Sequence, residues 1–83
     1  MTVDDDLLRG VELAIGGAWD EAHEIAQRHE GQATADWLHA VLHKVEGDAG
    51  NARYWYRRCG KLDHAGDEPT EELQAIKASL EQH

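Results

Sequence analysis

Two histidines, His39 and His43, stand four residues apart in the stretch ADWLHAVLHK, and Asp36 precedes His39 by three. If the stretch is helical, the i, i+3, i+7 spacing puts all three side chains on one stripe. His23, in WDEAHE, lies on the preceding periodic segment and can reach the same region. Two imidazoles at i, i+4 can share a metal ion. A third from a neighbouring helix would complete an open zinc or iron site, with Glu24 or Asp36 as an oxygen donor. The H-E-x-x-H order of a zinc protease is absent, because residues 39–43 read HAVLH with no general base between the histidines. A histidine beside an acid is more often a satisfied polar pair. Tryptophan or tyrosine donating to the ring gives the same composition. The leading expectation for His23, Asp36, His39 and His43 is therefore a hydrogen-bonded polar seam, ahead of a polar binding pocket and ahead of a metal site. No cofactor is expected, and a metal, if one is held, falls to His23, His39 and His43.

The remaining candidates are surface residues. Tyr54 points away from the apolar side of its helix, between Arg57 and Arg58, and an exposed aromatic flanked by arginines is a contact patch. The plainer reading is a tyrosine lying on arginine stems. Cys59 stands where a small packing residue belongs and reads as an inert core thiol. No phosphate loop, nucleophile motif or activated lysine is visible, so no catalytic residue is expected.

These side chains need helices to hold them, and the pattern supplies five. Apolar residues recur at three- and four-residue spacing between glycines, with no sustained alternation. The predicted helices run from about Val3 to Ile15, Ala18 to His29, Ala33 to Glu46 and Gly50 to Cys59, and from Pro69 onward. KLDHAGDE is a loop. On the third helix Leu38, Val41, Leu42 and Val45 make one face. The first turns of the first and last helices are acidic, with Asp4, Asp5 and Asp6 in one and Glu71 and Glu72 in the other, where the helix dipole favours acids.

Composition sets the outer bounds. The 83 residues make one domain. A chain of this length buries only ~60–65% of its unfolded surface, so the core is small or is completed by a second subunit. Net charge is −9, which opposes nucleic acid and anionic membranes. The one basic cluster, Arg53, Arg57, Arg58 and Lys61, reads as a solvated helix face. A single cysteine allows no internal disulfide. No apolar run approaches the ~20 residues of a membrane span, and the acidic start lacks a secretory leader's basic residues. The expectation is a cytoplasmic protein.

Shifting the chain by 30 residues superposes Leu8 on Leu38, Gly10 on Ala40, Val11 on Val41, Ile15 on Val45, Gly17 on Gly47 and Ala22 on Ala52. A helix hairpin is thus written twice, over about 3–30 and 33–60. The series Ala40, Gly47, Ala52, Tyr56, Cys59 resembles a tetratricopeptide repeat, and NARYWYRRCG is similar to the helix ends of Sel-type repeats. The first hairpin fits at Gly10, Gly17 and Ala22, then departs, with Ala26 where an aromatic is usual and His29 where a small residue is. The whole chain also resembles a small bacterial family of uncharacterised proteins that share WDEAH, W-x-H-A-x-L-H, EGD and NA-x-YWYRR. The resemblance implies an all-α domain of two hairpins, with the fifth helix, about 69–82, capping the exposed end. It implies no established reaction, and the leading reading is a binding domain whose partner is another protein or a second copy of itself, with enzymatic activity left open and non-enzymatic binding favoured. The alternative function is a small metal- or ligand-binding protein, with or without enzymatic activity, centred on the histidines of the second and third helices.

Overall fold

Five α-helices follow one another in the computed structural model, which describes residues 2–82. They are α1 (Val3–Ile15), α2 (Trp19–Arg28), α3 (Ala33–Val45), α4 (Ala49–Cys59) and α5 (Pro69–Leu80), with a 3-10 turn at Leu62–His64. Among the described residues there is no strand. The chain is all-helical, and the boundaries fall within a residue or two of those expected.

Local chemistry explains the starts and stops. Thr2 and Asp5 form a reciprocal capping box at α1: the Thr2 hydroxyl accepts from the Asp5 N–H, and the Asp5 carboxylate accepts from the Thr2 N–H. Asp48 accepts from the Asn51 N–H at the start of α4. Pro69 opens α5, where its missing N–H is no loss. The 30-residue repeat becomes geometry at Gly17 and Gly47. Both have φ +88°. Ala18 N–H and Asp48 N–H reach back to the carbonyls of Leu13 and His43, each at 2.9 Å. Such a left-handed turn closes a helix and suits glycine.

The small residues that the repeat aligns lie inside the molecule. Gly10, Ala22, Ala40 and Ala52 are all buried. A Cβ on Gly10 would lie 3.1 Å from Ile25 and 3.2 Å from Leu38, so α1 comes close to α2 and α3 there, and a methyl group would push those side chains by a few tenths of an ångström.

α3 is the centre of the molecule. It packs against each of the other four helices, and every residue from Ala35 to Leu42 is buried. A helix covered all round must bury whatever polar residues it carries. Two expectations need correction. Val45 does not join the buried face of α3. It lies in the last turn, 54% exposed, where the chain reverses at Gly47 with nothing laid over it. α5 does not cap the far end of the array either. It packs mainly on α1 and α3, closing back on the first hairpin.

A buried carboxylate fixes that return. Glu72 was expected among the dipole acids, yet it is 2% exposed. It accepts from Trp37 Nε1 at 2.8 Å, from the Tyr56 hydroxyl at 2.7 and 2.8 Å, and from Lys44 Nζ at 2.6 Å. Lys44 also donates to the carbonyls of His64, Ala65 and Asp67, pinning the 3-10 turn and the loop after it. The Tyr56 phenol is driven well above its ordinary pKa by burial and by its bond to Glu72.

Candidate metal centre

α3 delivers His39 and His43 on one stripe, facing α2 and α4. His23 comes from α2. The three histidines each place a ring nitrogen within 4.8 Å of the other two. Ring centroids are 4.7 Å apart for His23–His39, 5.3 Å for His23–His43 and 4.9 Å for His39–His43. Two indoles enclose them. Trp19 stacks on His23 at 4.5 Å and Trp55 stacks on His39 at 4.0 Å. Trp19 is itself held by its Nε1–H, which donates to the Leu42 carbonyl at 2.6 Å. The Arg58 guanidinium lies 4.9 Å over the Trp55 ring.

The hydrogen-bond accounts of these residues do not close. Asp36, His39 and Glu72 are the buried polar side chains of the described core. Asp36 is satisfied: it accepts from the Gly31 N–H at 3.2 Å, closing the α2–α3 turn. Glu72 is satisfied several times over. His39 is not, for its Nδ1 is buried without a partner, and so is Nε2 of His23. A buried polar group left unpaired costs about 1–3 kcal/mol, and both of these belong to residues of one histidine group. His43 differs. Its Nδ1 sits 2.6 Å from Glu46 Oε1. A carboxylate only accepts, so Nδ1 is the donor in this bond and Nε2 is the nitrogen a metal would take. A carboxylate behind a histidine in this way fixes the tautomer that a metal requires.

Electrostatics prepare the same state. His39 is pushed down to about 4 by burial, with His23, His43 and Arg58 adding to it. His23 is lowered too, by burial and by His43, against the opposing pull of Glu46 and Asp20. Both shifts favour the neutral ring, the form that binds metal.

The structure thus brings together His23, His39 and His43 and leaves Asp36 at the α2–α3 turn. Glu24, the other oxygen considered, lines a groove between α1 and α2 with Asp6, Arg9 and Arg28. Tyr54 is 51% exposed, and Arg58 donates to its hydroxyl at 3.4 Å; Arg57 is exposed. The thiol of Cys59 is raised by burial and donates to the Tyr56 carbonyl. Sequence reasoning missed three parts of this design: the indole walls, Glu46 behind His43, and the buried Glu72. Glu72 had a legible signal, because Glu72, Ile76 and Leu80 stand at i, i+4 and i+8 and the acid heads the apolar stripe. No protein family, curated protein or solved structure matches the chain.

Proposed function

We propose that this chain is a small helical metal-binding protein whose ligands are His23, His39 and His43. The observation that supports it most is the pair of buried, partnerless nitrogens on His23 and His39, in a group where three ring nitrogens lie within 4.8 Å of one another. Nitrogens around a tetrahedral ion at 2.0–2.1 Å are about 3.4 Å apart, so small side-chain adjustments close the site. An all-imidazole set suits zinc, copper, nickel or iron and offers nothing to calcium or magnesium. The neighbouring acids Asp20 and Glu46, and the chain's net charge of −9, draw cations. The protein-interaction reading has less to rest on, since α5 occupies the face that α1 and α3 share.

Thermal unfolding with zinc and with chelator tests the proposal. A ligand that binds only the folded state stabilises it by about 2.7 kcal/mol at a hundred times its Kd. For a domain of this size that raises Tm by roughly 10–20 °C. The His39→Gln/His43→Gln double variant is expected to lose the shift. A wild-type midpoint that responds to neither zinc nor chelator overturns the metal reading, and the histidines are then a polar seam.

A further inference from the structure

We infer that the ion held by His23, His39 and His43 keeps a fourth coordination position that is filled from solvent, by water or by a small anion such as azide. The inference rests on the metal-binding reading above and concerns what that centre does with its free valence.

The donors can be counted. Among the described residues the group holds three nitrogens and no oxygen or sulfur. Asp20, the acid near His23, contributes no atom to the group, and the other nearby oxygens are committed elsewhere. Glu46 is bonded to Nδ1 of His43, the side of the ring away from Nε2. The Leu42 carbonyl receives the Trp19 N–H. Asp36 is held at Gly31. The second cation-type group, His43 with Glu46 and Asp48, draws on His43 and shares neither His23 nor His39, and Asp48 is bonded to Asn51 by two contacts.

The walls donate nothing either. Trp19 and Trp55 present indole faces to His23 and His39, with interplanar angles of 13° and 16°. An indole has an N–H donor and no lone pair in the ring plane to give. A first-row divalent ion takes four ligands or more, and three protein ligands with one vacant position is the arrangement of reactive rather than structural zinc. Three neutral imidazoles leave the ion's double charge whole, so the incoming ligand is water, hydroxide or a monoanion. Access is narrow. His39 is sealed, while His23 is half-buried and the His43 side chain is 12% exposed. The entering ligand is therefore small.

Cobalt substitution tests this. Co2+ is added to the metal-free protein, and visible absorption is followed as azide is titrated in. One Co2+ per chain is expected, with the intense bands of four-coordination. Azide is expected to shift them along a saturable curve that weakens as pH rises and hydroxide competes. Co2+ that binds with four-coordinate bands indifferent to azide overturns the open position and leaves the metal reading standing. Failure to take up Co2+ or zinc overturns the metal reading itself. An azide response that survives in both the His23→Gln and His39→Gln variants, each checked for helicity by circular dichroism, places the ion elsewhere and overturns the inference.

Discussion

At the scale of the residue, His39 carries the most consequence for the least exposure. Its ring lies between Trp55, His23 and His43, and burial pushes its pKa down to about 4 from 6.5. In the unfolded chain it titrates normally. Between those values the unfolded state therefore binds a proton that the folded state refuses, and stability falls as pH falls. The full depression corresponds to roughly 3 kcal/mol lost between about pH 6.5 and pH 4. His23 is shifted in the same direction. Urea unfolding of the metal-free protein across that window is expected to show the decline. His39→Phe, which keeps an aromatic ring against Trp55 and cannot take a proton, is expected to flatten it. A decline of equal depth in the variant would assign the acid sensitivity to other groups.

At the scale of the element, one polar side chain adds to the apolar docking of α5 through Leu73, Ile76 and Leu80. Glu72 gathers Trp37 and Lys44 from α3 and Tyr56 from α4 onto the first turn of α5. Glu72→Ala leaves an indole N–H and a phenol without their acceptor and takes the carboxylate from Lys44, which keeps its backbone carbonyls. Removing one partner of a buried pair typically costs about 3–5 kcal/mol. Glu72→Gln keeps an oxygen for one or two donors, so it is expected to lose less. Denaturant titration of both variants checks the order, and equal losses would mean that charge rather than acceptor geometry holds the helix. The other end of the molecule is tied more loosely. Asp6 on α1 receives His29 Nε2 at 2.7 Å and Arg28 at 3.0 Å from the end of α2, and His29 holds the Asp6 carboxyl below its usual value.

At the scale of the molecule, the question is whether one chain suffices. A small core motivated the expectation of a homodimer. In this fold α3 is wrapped by the other helices, and one continuous apolar cluster runs from Leu7 of α1 to Leu80 of α5. The Cα radius of gyration is 11.1 Å, against about 12 Å for a typical domain of this length. That cluster packs within one chain, which favours a monomer. Sedimentation equilibrium is expected to return the single-chain mass of 9.3 kDa. A doubled mass would instead point to the exposed Val3, Ile15, Val45, Tyr54 and Leu62.

The helices, their ends and the buried small residues could be read from the chain because they are local. Capping residues, glycine turns and three-to-four spacing act within one or two turns, and Gly17 and Gly47 repeat one geometry because the same short-range bonds close both helices. The pairing of His39 with His43 was legible for the same reason. Their meeting with His23 was not, since it depends on the angle at which α2 crosses α3. Nor was the parting of Asp36, which shares their stripe but lies nearer the α2–α3 turn and is taken by the Gly31 N–H. The burial of Glu72 required α5 to fold back onto α1 and α3, a choice made by long-range packing. Only the tertiary structure could decide that two histidine nitrogens would be sealed from water without a protein partner, because satisfaction of a polar atom is a property of everything packed around it.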